Sequence, residues 1–236
     1  MTKIGIIGAM ASEVSSLKDL MKINTVTQKA GMYFYDGTLN GKSVVVVQCG
    51  YGKVNAGICA QILADLFEIT HIINTGVAGS LNPKLDIGDI VVSEKALQHD
   101  MDVAPLGFAP GQIPDINTLA FPADQAMIDA AVKACRQMNP DINVLTGLIV
   151  SGDQFISDRE VKDRLVSVFH GDCAEMEGGA VAQVAYLNRL PFIIIRAISD
   201  KADDSAGEMD FPTFEKQAAE HCAKMTAEFL RIFEAI

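Results

Sequence analysis

The sequence predicts an α/β fold: a single domain over residues 1–236, with a central mixed β-sheet flanked by helices. Three observations carry this. Short apolar runs alternate with longer stretches of helical periodicity. Runs such as Phe192 to Ile198 are apolar at nearly every position, as strands buried on both faces of a parallel sheet require. Asn40-Gly41 between two strand-like segments marks one hairpin, which makes the sheet mixed. No internal repeat, low-complexity tract or linker divides the chain. Its 236 residues, 49% of them hydrophobic, can bury one large core.

The elements follow in order. Ile4 to Gly8 reads as a buried strand, and a helix runs from about Ser12 to Met21. Tyr33 to Leu39 and Ser43 to Gln48 form the hairpin around a type I′ turn. A helix covers about Lys53 to Phe67, with short strands at Ile72 to Thr75 and Ile87 to Ser93. His99 to Phe121 is rich in Pro and Gly and reads as a long loop, functional or disordered. Helices follow at about Asp124 to Met138, Asp158 to Phe169 (Asp158 as N-cap), Ala180 to Leu190 and Phe211 to Phe233. Between them come strands at Leu145 to Val150, near Cys173, and at Phe192 to Ile198.

Composition excludes several function classes. A formal net charge of −11 argues against nucleic acid, because a polyphosphate partner needs Lys/Arg patches to displace its counterions. It argues equally against an anionic membrane surface. No apolar run reaches the length of a membrane helix, and no signal peptide is visible. Five cysteines without a C-x-x-C pair read as free, mostly buried thiols in a reducing cytoplasm. The four histidines are scattered, so no metal site is expected; His99 beside Asp100 and Asp102 has no second cluster to support one.

Ligands of open α/β sheets bind beyond the carboxyl ends of strands. There the sequence places Met10 and Glu13, Cys49 to Val54, Asn74 to Ser80, Ser151 to Ile156, Glu175 to Gly179, and Arg196 to Asp200. Glycines and charges recurring after successive strands suggest one site built from many loops. Glu13 shares a helix face with Leu17 and Leu20, an unusual place for a carboxylate. It fits a functional acid, and it also fits an acid held by the dipole in the first helical turn. Asp200 with Arg196 fits an ion pair at a strand end, and also an Asp that keeps a proton near neutral pH. Glu175 and Glu177 point to one face if extended, and their neighbours are apolar. Gly50-Tyr-Gly-Lys53 is no Walker A loop, and Ile4 to Gly8 lacks the dinucleotide fingerprint, so no cofactor is expected. Thr75-Gly-Val-Ala-Gly79 reads as a tight turn, or as backbone N–H groups offered to an anion or sugar hydroxyl.

Several segments together resemble the nucleoside phosphorylase/nucleosidase family. They are Lys3 to Met10, Asn74 to Gly79, Gly88 to Ser93, His99-Asp100 with Asp102-Val103, Ser151 to Ile156, Ala174 to Glu177, and Arg196 to Asp200. The nearer likeness is to its bacterial branch, which acts on 5′-methylthioadenosine and S-adenosylhomocysteine. The resemblance implies hydrolysis of the N-glycosidic bond of such adenosine thioethers, in methionine salvage, giving adenine and a 5-substituted ribose. 5′-Deoxyadenosine and a 6-amino-deoxyfutalosine-type nucleoside, which carry no thioether, stay open as further substrates. It implies Glu13 as the acid that activates water, and Met176 and Glu177 as the ribose clamp. It implies that Asp200, helped by Ser199, serves adenine N7, that Phe155 stacks near the purine and that the Ile156 backbone reads its edge. By the same resemblance, Arg196 and the Val77 loop lie where phosphorylases hold phosphate, and Met10, Tyr51, Val103, Leu106, Phe108 and Phe211 are expected to line the alkylthio pocket. The resemblance also implies a homodimer, the loop after His99 reaching the neighbour's site.

Ala11-Ser12, Val77, Tyr51 and Leu106 depart from the pattern of many relatives, the last two within the alkylthio pocket. Two other readings stay open: a phosphate-dependent phosphorylase of the same fold, and a non-catalytic nucleoside-binding protein.

Overall fold

The computed structural model describes residues 2–138, 140–203 and 211–234, with the side chains of 211–215 left aside. Among the described residues, ten strands form one sheet. The order begins with β1 (Lys3–Gly8), α1 (Ala11–Leu20), β2 (Lys22–Lys29), β3 (Met32–Leu39), β4 (Lys42–Gln48) and α2 (Lys53–Phe67). It continues with β5 (His71–Ser80), β6 (Ile90–Gln98), a 3-10 turn at Ala104–Leu106, β7 (Phe121–Pro122) and α3 (Gln125–Met138). The last elements are β8 (Val144–Ser151), α4 (Arg159–Phe169), β9 (Cys173–Glu175), α5 (Gly178–Asn188), β10 (Phe192–Asp200) and α6 (Phe211–Ile232).

β1 lies between β4 and β5, parallel to both. The sheet does not stay open. β5 pairs β10, β10 pairs β6, β6 pairs β8, β8 pairs β9, and β9 returns to β5. Half of the sheet is therefore a closed, irregular barrel, and the hairpin strands extend from its β1 side. Alternation along β1 explains the layers. Ile4 and Ile6 join the core under α1, α3 and α6, whereas Ile7 joins the core under α2 and α5.

Most expected elements form within a few residues of their predicted bounds. Asn40 and Gly41 both have positive φ, 49° and 79°, as a type I′ hairpin turn requires. Asp158 caps α4 by accepting from the Glu160 and Val161 N–H groups.

Three expectations need correction. β2 was given no element; its almost entirely exposed residues form an edge strand, joined to β3 by a second positive-φ pair, Ala30-Gly31. Thr75 to Gly79 is no tight turn: β5 runs through it and pairs β10 as far as Gly79. Leu20 is 60% exposed, so the buried face of α1 is Glu13, Val14 and Leu17. The five cysteines are all free and buried. Among the described residues, no helix is long and apolar enough to cross a membrane.

Candidate active site

The carboxyl ends of β1, β5, β9 and β10 open onto one cavity of ≈ 150 Å³. Its walls carry Met10, Glu13, Tyr51, Val77, Phe155, Ile156, Met176, Glu177, Ser199 and Asp200 from the sequence reading. Ala9, Ala78, Gly79, Gln154, Ala174 and Glu175 join them. Phe155 is 53% exposed and forms the mouth.

Glu13 enters from the first turn of α1. Its Oε2 accepts from the Ala9 and Met10 N–H groups at 2.6 and 2.9 Å. Its Oε1 accepts from the Val77 N–H at 3.1 Å. Glu13 therefore closes a capping box at the start of α1 and also faces the cavity. Burial raises its pKa above the ordinary value, against the pull of Arg196 and those N–H groups. The glycines of β5 explain why that segment looks like a turn in sequence. A Cβ on Gly76 would stand 2.4 Å from Glu13 Oε1, and one on Gly79 would stand 2.8 Å from an Asp200 carboxylate oxygen. Small residues make room for the acids within an ordinary strand.

Asp200 ends β10. It accepts from the Ser199 hydroxyl at 2.8 Å and from the Ala202 N–H at 2.7 Å. Burial raises its pKa, opposed by these two bonds and by Lys162. No Arg196–Asp200 ion pair forms. Arg196 is 1% exposed and bonds Glu175 and Asn74 instead, the latter at 2.5 Å.

Glu175 is the partner that sequence reasoning left unassigned. It takes the Arg196 guanidinium, the Ser151 hydroxyl and the Glu177 and Gly178 N–H groups. Burial alone would raise its pKa; Arg196 and these donors outweigh burial and hold it low. The available signal was Glu175 itself, an acid in an apolar stretch with no role assigned to it, as a buried arginine needs such a counter-charge. Glu177 stands at the N-terminus of α5 and accepts from the Gly52 N–H at 2.8 Å. Burial, then the charge of Glu175, pushes its pKa up to about 7.

Other expectations fare differently. Arg196 does not line the cavity; it lies behind it, its charge engaged by Glu175, and is not presented to an anion. Val103, Leu106 and Phe108 do not line this chain's cavity either. The loop carries them away from it, and Leu106 is 73% exposed. The Phe211 side chain lies outside the described residues.

Comparison with known proteins identifies the family. Residues 3–231 match the model of the phosphorylase superfamily. A 5′-methylthioadenosine/S-adenosylhomocysteine nucleosidase of Geobacillus kaustophilus is 39% identical over 98% of both chains. The chain belongs to that nucleosidase family. Among solved structures, the Neisseria meningitidis nucleosidase in complex with methylthio-immucillin-A is 37% identical, with a TM-score of 0.93 over 98% of this chain and 99% of that one. A Helicobacter pylori futalosine hydrolase is 30% identical, with a TM-score of 0.91 over 97% of each chain. As a member of the nucleosidase family, the chain brings four buried carboxylates, Glu13, Glu175, Glu177 and Asp200, to one cavity, and Arg196 is paired with Glu175 among them.

Proposed function

We propose that this protein hydrolyses the N-glycosidic bond of 5′-methylthioadenosine and S-adenosylhomocysteine. One observation carries the reading: Glu13, Glu177 and Asp200 line the same cavity and differ in what surrounds them. Breaking the C1′–N9 bond leaves a cationic sugar and an anionic purine. Asp200, whose pKa burial raises, donates a proton to adenine N7 and so makes the purine a leaving group. Glu177 accepts from the ribose hydroxyls. Glu13 and Glu177 set negative charge beside the cationic sugar in a water-poor site.

Glu13 then takes a proton from the water that attacks C1′ from the face opposite adenine. Each carboxylate oxygen offers two lone pairs. Among the described residues the Ala9 and Met10 N–H groups occupy Oε2, and only the Val77 N–H bonds Oε1. Oε1 is therefore the atom that receives the water proton. Phe155 stacks on the purine and Ile156 reads its edge, while Met10 and Tyr51 border the thioether end.

Hydrolysis is favoured over phosphorolysis by Arg196. Its guanidinium, whose charge acts on Glu13, is buried behind the cavity and paired with Glu175, so it offers no open anion site to a ligand there. A homodimer completes the pocket in this reading. Val103, Leu106 and Phe108, turned away from their own cavity, reach the neighbour's. Five free buried thiols suit a reducing cytoplasm. Chromatography of the products from each nucleoside, with and without phosphate, tests the function. Adenine release independent of phosphate supports it, and phosphate-dependent release replaces it with the phosphorylase reading.

A further inference from the structure

Lys53, Asp100 and Asp153 belong to three separate segments, and none touches the cavity. They close a ring of bonds beside it. Lys53 Nζ donates to Asp100 Oδ1 at 2.5 Å. Asp100 Oδ2 accepts from the Asp153 N–H at 3.0 Å. Asp153 Oδ1 accepts from the Lys53 N–H at 2.8 Å. Lys53 Nζ also donates to Gln98 Oε1 at 3.0 Å.

What the ring adjoins gives it meaning. The residue before Lys53 is Gly52, whose N–H meets Glu177 at 2.8 Å. Gly52 has φ 90°, and a Cβ there would stand 2.9 Å from Asp153 Oδ1. The Gly52 peptide is therefore pinned between Asp153 and Glu177 in a conformation that only glycine adopts easily. Asp153 in turn opens the segment that carries Phe155 and Ile156 into the cavity. Lys53 and Asp100 side chains are only 18% and 22% exposed, so their pairing is partly shielded from water.

We propose that Lys53, Asp100 and Asp153 form a positioning ring that aims the Gly52 N–H at the Glu177 carboxylate and sets Phe155 and Ile156 against the ligand. The ring's role in ligand binding rests on the function proposed above; its action on Glu177 does not. Losing the Gly52 bond removes a donor that favours ionised Glu177. The charges facing Glu177 are Glu175, Arg196 and Glu13, with the Cys49 thiol beside them. None belongs to the ring.

The test is a carboxyl-carbon NMR titration of protein labelled at glutamate, with Glu177 assigned from the Glu177→Gln spectrum. Asp100→Asn removes a negative charge. Coulomb's law alone would then move Glu177 ionisation to lower pH. Loss of positioning moves it to higher pH, by about one unit for one charge-assisted bond. An upward shift supports the ring, and an unmoved or lowered midpoint overturns it. Should Asp100→Asn not fold, the exposed Asp153→Ala gives the same upward shift, and Asp153→Asn, which keeps an oxygen for the Lys53 N–H, restores the original midpoint. Kinetics adds a second arm: Asp100→Asn raises KM about 10-fold while kcat changes less. If the unmodified protein releases no adenine, the proposed function fails while the titration still judges the ring.

Discussion

Glu13 on α1 accepts a hydrogen bond from the backbone N–H of Val77 on β5, 64 residues away, at 3.1 Å. That bond ties the first helix to the strand at which the closed barrel joins β1 and the hairpin strands, and it leaves Oε1 facing the cavity. Gly76 makes it possible. Gly76→Ala would drive a methyl group to within 2.4 Å of Oε1 and displace the carboxylate. Both Gly76→Ala and Glu13→Gln are expected to lower kcat by about 10²–10⁴-fold. Circular dichroism checks that Glu13→Gln keeps its fold, and turnover near normal in that variant removes Glu13 from the chemistry.

Asp200 is assigned to the leaving group and to nothing else. Asp200→Asn is expected to cost about 10²–10⁴-fold with adenine nucleosides. With a riboside of p-nitrophenol, which departs without protonation, it is expected to cost far less. Equal losses on both leaving groups would show that Asp200 acts elsewhere.

Glu177 gives a stability signature with a definite sign. Its ordinary value of 4.5 rises to about 7 in the folded protein. Below the lower value the group is protonated in both states and costs nothing. As pH rises towards the upper value, the unfolded chain releases the proton first, so this group lowers folding stability. Above the upper value the cost is complete. Glu177→Gln is therefore expected to melt roughly 5 °C above the unmodified protein at about pH 8, and the gap is expected to close at about pH 4. Thermal melts across that range check it.

Glu175 neutralises a fully buried guanidinium. Glu175→Ala leaves Arg196 without its counter-ion, at an expected cost of about 3–5 kcal/mol. Urea denaturation measures this directly. A cost under about 1 kcal/mol would mean that Arg196 finds another partner or reaches water.

The strands and helices around the site were legible because their signals are local. Apolar runs mark β1 and β10, Asn40-Gly41 marks the hairpin, and an acid on an apolar helix face marks Glu13. Closure of the barrel was not legible, since it rests on β5 meeting β10 and β9 across long stretches of chain. The same distance hid the partner of Arg196, 21 residues away at Glu175. β2 escaped because an exposed edge strand has no buried face to write into its sequence. Gly76 and Gly79 misled because glycine usually signals a turn; here it clears space for carboxylates brought in by other elements. Leu106 shows the converse, an apolar residue that stands exposed and does not line its own chain's cavity.

The central claim is that water, activated by Glu13, attacks the sugar from the face opposite adenine. Proton NMR of the sugar formed from 5′-methylthioadenosine in phosphate buffer, recorded before the anomers equilibrate, tests it most directly. The expected first product is the α-anomer of 5-methylthioribose with a free hydroxyl at C1. An initial β-anomer, or a sugar 1-phosphate, would contradict it.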